Sequence, residues 1–262
     1  MAKLQVIGGG KMGEALVGGL LRSGTAGADV LIVEKDPARV EALHAALPEV
    51  AVADGPAASD GTVLAVKPGD VPAVCAAVAA AGTRRVLSIA AGVTIATLEG
   101  SLDAGTPVIR AMPNTPATVG AGAAAIAPGT SAGEDDLAWA EGLLGAVGTV
   151  VRVPETLLDA VTGLSGSGPA YVFLVAEALI AAGIEVGLPP EVSYDLAVQT
   201  LFGAATLLAG SDVGPEALRA AVTSPNGTTA AGLAVMEERG LRDAIRAGVV
   251  AATERSRELG QS

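Results

Sequence analysis

Leu4-Gln5-Val6-Ile7-Gly8-Gly9-Gly10-Lys11-Met12-Gly13 decides the fold. Leu4–Ile7 is a short apolar run of strand character, and the segment from about Gly10 to Ser23 has helical character. Between them stands Gly8-x-Gly10-x-x-Gly13. In a chain with 35 glycines that spacing alone carries little weight, but between a strand and a helix it is the dinucleotide fingerprint. Gly8 allows the tight turn, Gly10 lets the main chain approach a pyrophosphate, and Gly13 lets the helix lie close on the strand. Free N–H groups at the helix start then face the anion, helped by the helix dipole. This places Gly8, Gly9, Gly10, Lys11 and Met12 at a cofactor. An acidic residue is expected about 20 residues further on. Glu34, at the end of Val30-Leu31-Ile32-Val33, is in position to accept from both ribose hydroxyls and favours NAD. Lys35 follows at once and is able to pair with a 2′-phosphate, so the pair leaves NADH and NADPH both open.

The chain has 262 residues, enough for one large domain or two smaller ones. Half of them are apolar, so a sizeable core is expected. With 28 acidic against 16 basic residues the net charge is −12, which excludes a broad basic face for nucleic acid and disfavours an anionic membrane surface. The single cysteine, Cys75, excludes an intrachain disulfide. With one histidine, His44, a metal site of His and Cys ligands is excluded, and a catalytic triad is disfavoured. The N-terminal apolar run is too short for a signal peptide, and the Ala-rich stretches are interrupted by Gly, Pro or Glu177, so no membrane span is expected. A soluble cytoplasmic protein is expected.

The first half alternates short β-branched runs with helical patterns. Strands are predicted at Leu4–Ile7, Val30–Val33, Val63–Val66, Val86–Ile89 and Val108–Ile109, with edge strands at Ala123–Ile126 and Val150–Val153. Asp36 and Pro37 read as the cap and first turn of a second helix. Such alternation predicts an α/β fold with a mostly parallel sheet covered on both faces. After Val153 the strands stop. Helices are predicted near Glu155–Thr162, Gly168–Val186, Pro190–Ala209, Pro215–Val222, Thr228–Arg239 and Leu241–Leu259. The chain is therefore divided into domains 1–153 and 154–262, with the active site expected where they meet. The helices from Gly168 and Pro190 are apolar on most of their circumference, and a second copy of the chain is expected to cover them.

The chemistry is narrowed by what is missing. A dinucleotide site points to hydride transfer. Alcohol oxidation needs a base for the hydroxyl proton, yet His44 lies in a peripheral helix and no Tyr-x-x-x-Lys pair exists. The lysines are Lys3, Lys11, Lys35 and Lys67, so the helical half has none to act as a hydroxyacid-dehydrogenase base. Reduction of a C=N bond fits better, because a protonated imine accepts hydride without a strong general acid, and positioning does most of the work.

Several blocks point the same way. Asp159-Ala160-Val161-Thr162-Gly163-Leu164-Ser165-Gly166-Ser167-Gly168-Pro169-Ala170-Tyr171 and Val222-Thr223-Ser224-Pro225-Asn226-Gly227-Thr228-Thr229 resemble the signature and the substrate loop of the pyrroline-5-carboxylate reductase family. Ala65-Val66-Lys67-Pro68, Ala90-Ala91-Gly92-Val93-Thr94 and Met112-Pro113-Asn114-Thr115-Pro116 match its pattern too, in the right order over nearly the whole chain. The resemblance implies a Rossmann-like N-terminal domain that binds NADPH or NADH and an all-helical C-terminal dimerisation domain. It also implies a homo-oligomer, a dimer or a decamer of dimers, and reduction of L-1-pyrroline-5-carboxylate to L-proline. It assigns Thr229 to the ring nitrogen and, with Ser224, Asn226, Gly227 and Thr228, to the substrate carboxylate. Glu155 aligns with an acidic residue near the substrate, although a plain first-turn glutamate fits it equally well, and Asp212 is a weaker candidate. Ala65, Val66, Lys67, Pro68, Ala91 and Asn114 are expected beside the cofactor. The alternatives are another two-domain imine or hydroxyacid reductase and a non-catalytic dinucleotide sensor.

Overall fold

In the computed structural model, which describes residues 2–260, the apolar runs form one eight-stranded sheet. The elements in chain order are β1 (Ala2–Ile7), α1 (Lys11–Arg22), β2 (Val30–Val33), α2 (Pro37–Ala46), β3 (Ala51–Ala53), β4 (Ser59–Leu64), α3 (Val71–Ala81), β5 (Val86–Ser88), α4 (Ile95–Gly100), β6 (Val108–Met112), β7 (Gly122–Pro128), α5 (Glu134–Gly145), β8 (Gly148–Arg152), α6 (Leu158–Val161), α7 (Gly168–Glu185), α8 (Pro190–Ala209), α9 (Pro215–Ala221), α10 (Thr228–Glu238) and α11 (Leu241–Gly260). The strand order is β3-β2-β1-β4-β5-β6-β7-β8. All neighbours run parallel except β6 and β7. From β1 the chain moves outward to β2 and β3, then returns to β4 on the other side of β1. That reversal is a topological switch point, and the crevice beyond the carboxyl ends of such strands is where ligands bind in open α/β sheets.

Both faces of the sheet are covered, so buried apolar side chains lie on both sides of its central strands. On one face Leu16, Val17 and Leu20 of α1 and Leu143 and Leu144 of α5 pack against Val6, Ile32, Val63 and Ile109. On the other, Val71, Cys75 and Val78 of α3 and Leu98 of α4 pack against Ile7, Leu64, Val86 and Val108. Asp36 caps α2 by accepting from the Ala38 amide at 3.0 Å, and Pro37 sits in the first turn, where its missing N–H has no partner to lose.

The sequence predicts a strand at Val63–Val66, but β4 begins at Ser59. Its polar first half is held in the buried sheet by Gln5, whose Nε2 donates to Ser59 Oγ at 3.0 Å and Thr62 Oγ1 at 2.9 Å. The three-residue strand β3 goes unpredicted, because Ala51–Ala53 is too short to show a period. Ala123–Ile126 becomes β7, which is not an edge, since β8 lies outside it.

The described chain forms two compact units, residues up to Ser167 together with those from Val250, and Gly168–Val249. This division falls later than the one predicted at 153/154. Residues 154–161 pack on the sheet through the buried Leu158, and the end of α11 returns to the first unit, where Ser256 Oγ donates to Asp159 Oδ1 at 2.7 Å. Within the second unit, α7 and α8 form a helical hairpin. Ser193 Oγ donates to the Ile180 carbonyl at 2.7 Å, and a side chain at Gly183 would collide with Ser193. No residue of α7 is buried within the chain, and only Ser193 and Ala197 of α8 are. Phe173 and Phe202 are 63% and 66% exposed, so the chain itself does not cover this apolar surface. The helical run 155–185 and the helix Pro190–Ala209 are also long and apolar enough to cross a membrane by length and composition. That differs from the expectation of no such stretch, because the glycines and Pro169 counted as interruptions are accommodated within the helices.

Candidate active site

The glycine loop sits at the switch point. Gly8 has φ +100°, a conformation that side chains rarely adopt, and a Cβ there would press on the Ala65 carbonyl. A Cβ at Gly13 would strike the Gly8 carbonyl, so only glycine lets α1 lie this close to β1. Around Gly10 the corresponding position is open space, and no side chain caps the first turn of α1. Uncapped amides in an open, glycine-lined cradle fit a dinucleotide pyrophosphate.

Glu34 lies at the carboxyl end of β2, half-buried. Its Oε2 accepts from the Gly9 amide at 3.0 Å, and its Oε1 accepts from the Lys35 and Asp36 amides at 2.7 and 3.0 Å. Burial pushes its pKa upward, but the three amides and the charge of Arg39 outweigh burial and hold it below the ordinary 4.5. Arg39, which the sequence did not single out, donates from Nε to the Gly9 carbonyl and forms an ion pair with Glu14.

Beyond the strand ends lies a groove of about 320 Å³ lined by Met12, Ala65, Val66, Ile89, Ala91 and Met112, among others. Asn114 also borders it, with its amide committed within the protein. Asn114 Oδ1 accepts from the Ala123 amide at 2.8 Å, and Nδ2 donates to the Ser165 carbonyl at 3.0 Å. Ser165 is presented by a π-turn over Thr162–Gly166, closed by Ser167 N–H donating to the Thr162 carbonyl at 2.8 Å. The turn sets Gly166 beside Met112, whose terminal methyl group would have to move to admit a side chain there. A larger cavity of about 730 Å³ in the same unit is lined by Pro68, Ala91, Gly92, Thr162, Ser167 and Arg255, among others. Lys67 is exposed beyond the carboxyl end of β4, next to Pro68.

Glu155 is differently occupied. Its Oε1 accepts from the Ile95 amide at 2.7 Å and from Arg110 Nη1 at 2.8 Å. Arg110 is 8% exposed, so Glu155 is the counter-ion of a buried cation and ties the start of α4 to β6. The sequence hides this pairing. The predicted strand stops at Ile109, one residue short of the arginine, and the partner lies 45 positions away.

Ser224, Asn226, Gly227, Thr228 and Thr229 lie in the second unit, apart in sequence and in compact unit from the glycine loop. Ser224–Gly227 forms a tight turn in which the Gly227 amide donates to the Ser224 carbonyl at 3.0 Å. Asn226 takes φ +60°, the one positive value at a non-glycine residue among the described residues. A side chain at Gly227 would collide with Ser224 Oγ. The turn delivers the chain into α10, whose first turn has no side-chain cap, and Thr229 is exposed there. Asp212 is exposed as well. Among the described residues, no group of His, Cys, Asp and Glu is arranged to hold a metal ion.

Residues 155–259 match the family model described as pyrroline-5-carboxylate reductase dimerisation, and residues 3–92 match the one described as NADP oxidoreductase, coenzyme F420-dependent. The chain is 44% identical to a pyrroline-5-carboxylate reductase of Mycobacterium tuberculosis, over 99% of this chain and 97% of that protein. It is also 44% identical to the Synechocystis enzyme of the same name, over 99% and 98%. This chain belongs to the pyrroline-5-carboxylate reductase family. Solved structures agree. A Coxiella burnetii pyrroline-5-carboxylate reductase superposes with a TM-score of 0.93 at 34% identity over 98% of each chain. A Plasmodium falciparum pyrroline carboxylate reductase with NADP bound superposes at 0.83, with 28% identity, over 99% of this chain and 98% of that one. As a pyrroline-5-carboxylate reductase family member the chain is an oxidoreductase that uses NADH or NADPH.

Proposed function

We propose that this chain reduces L-1-pyrroline-5-carboxylate to L-proline, the final step of proline biosynthesis, with the glycine loop holding the dinucleotide and the Ser224–Thr229 turn holding the substrate. The observation that carries the reading is that turn. Its rigid Ser224–Gly227 corner opens into the uncapped start of α10, and amides at a helix start bind a carboxylate without any arginine. Thr229 then hydrogen-bonds the ring nitrogen through its hydroxyl and the carboxylate through its amide. Ser224 supports the same corner, with Asn226 fixing its bend.

A nicotinamide dinucleotide held by the glycine loop would supply the hydride for reduction of the protonated C=N bond to the amine. The chain's own residues orient the ring and need hold no titrating base at the reacting carbon. His44 is exposed on α2, and none of the four lysines lies in the helical unit. Met12, Ala65, Val66, Ala91 and Asn114 line the cofactor groove, Pro68 lines the larger cavity that shares Ala91 with it, and Lys67 is exposed between Val66 and Pro68 in sequence. Glu155 acts through the loop before α4 rather than on the substrate, since its carboxylate is engaged by Ile95 and Arg110. The apolar faces of α7 and α8 are covered by a second copy of the chain, which makes the working molecule a dimer, or a decamer of dimers, soluble in the cytoplasm.

The test is turnover of pyrroline-5-carboxylate with NADH and NADPH, comparing wild type with Thr229→Ala. The variant, changed at an exposed position, is expected to fold normally and to lose about 10- to 100-fold in kcat/KM. Kinetics equal to wild type would remove Thr229 from the mechanism. Tight dinucleotide binding without turnover in the wild type would favour a sensing module instead.

A further inference from the structure

We propose that this chain selects dinucleotides whose adenosine ribose carries no 2′-phosphate, NADH over NADPH, and that Glu34 is the selecting residue. The inference rests on the glycine loop being the dinucleotide site. At the end of the second strand of such a sheet a carboxylate bonds the ribose hydroxyls, whereas a nearby arginine accommodates a 2′-phosphate. Both residue types stand here, Glu34 and Arg39, and the structure shows which of them is available.

Glu34 is fixed in place and charged. A carboxylate has about four acceptor positions, and the amides of Gly9, Lys35 and Asp36 occupy three. One position remains for a ribose hydroxyl. The contact to Gly9 sets the carboxylate directly behind the phosphate-binding turn. Swinging it away to admit a phosphate would break three charge-assisted hydrogen bonds. Protonating it is no escape, since the same amides depress its pKa.

Arg39 is engaged elsewhere. It donates to the Gly9 carbonyl and is paired with Glu14, so its charge is already neutralised. Asp36 adds a further carboxylate, whose Oδ1 caps α2. The corner holds three carboxylates, Glu14, Glu34 and Asp36, and three cations, Lys11, Lys35 and Arg39, so the discrimination falls to Glu34 itself. A dianionic 2′-phosphate placed on Glu34 meets a fixed carboxylate, with the neighbouring Lys35 in its favour.

The experiment is a fluorescence titration of the full-length protein with NADH and with NADPH, alongside Glu34→Gln, Glu34→Ser and the double variant Glu34→Ser/Lys35→Ala. Wild type is expected to bind NADH at least about tenfold more tightly than NADPH. Glu34→Gln keeps an acceptor for the amides and is expected to narrow that gap. Glu34→Ser is expected to close or invert it, and adding Lys35→Ala to take the gained NADPH affinity away. Equal or tighter NADPH binding by wild type, with pyrroline-5-carboxylate still reduced, overturns the selectivity and leaves the proposed function standing. An unchanged ratio in folded Glu34→Ser removes Glu34 as its cause. Failure to bind either dinucleotide overturns the glycine-loop assignment and this inference together.

Discussion

Glu155 has a structural task that its sequence position does not announce. From sequence it is an acidic side chain at a helix start, able to face substrate or simply to sit in a first turn. In the fold it neutralises buried Arg110 and caps the start of α4. Removing it strands a charge in the interior, so Glu155→Ala is expected to cost about 2–4 kcal/mol in a urea melt. A loss of activity without loss of stability would instead restore a substrate role. Glu34 makes a prediction in pH. Its folded pKa lies below the ordinary 4.5, so it contributes stability above that value and the contribution fades as pH falls through the folded pKa. Wild type should therefore lose more stability than Glu34→Gln between about pH 6 and pH 3. Equal losses would show that the three amides do not prefer the ionised form. The glycine positions and Glu34 were legible because their spacing from a strand end is fixed by local geometry. Arg39, Arg110 and the committed amide of Asn114 were not, because their partners are distant in sequence.

Elements were legible where a period or a cap marks them. Pro190–Ala209 matches α8 at both ends, and Asp36-Pro37 marks the start of α2. Short or polar strands escaped, since β3 has three residues and the first half of β4 depends on hydrogen bonds from Gln5. The π-turn at Thr162–Gly166 was visible only as a Gly/Ser-rich interruption, and its hydrogen bond from Asn114 to the Ser165 carbonyl comes from 51 positions away. The β1–α1 junction carries the prediction at this scale. Gly13→Ala would drive its methyl group into the Gly8 carbonyl, forcing α1 off the strand. A loss of about 1–3 kcal/mol in stability is expected, together with at least about tenfold weaker dinucleotide binding, read by denaturation and fluorescence titration. Undiminished binding would mean the loop does not need its close approach.

At the scale of the whole molecule, the described chain leaves Phe173, Leu174 and Phe202 exposed on helices of its second unit. Exposed apolar patches of this kind mark association surfaces. Light scattering at micromolar concentration is expected to give a dimer or a multiple of it, and Leu174→Asp with Phe202→Asp to shift the mass toward one chain. A wild-type monomer would contradict the assignment of these faces. That such helices need a partner was legible from their lack of a polar side, while the place of the C-terminal segment in the first unit was not, because nothing local in 250–260 announces it. In the proposed reaction a dinucleotide hydrogen ends on the C=N carbon of the cyclic imino acid. The most direct measurement is to supply NADH carrying deuterium at the transferring position and to analyse the product by NMR and mass spectrometry. The expected product is L-proline with one deuterium on its δ carbon for each NADH oxidised. Unlabelled proline, or no proline while the dinucleotide binds, would contradict it.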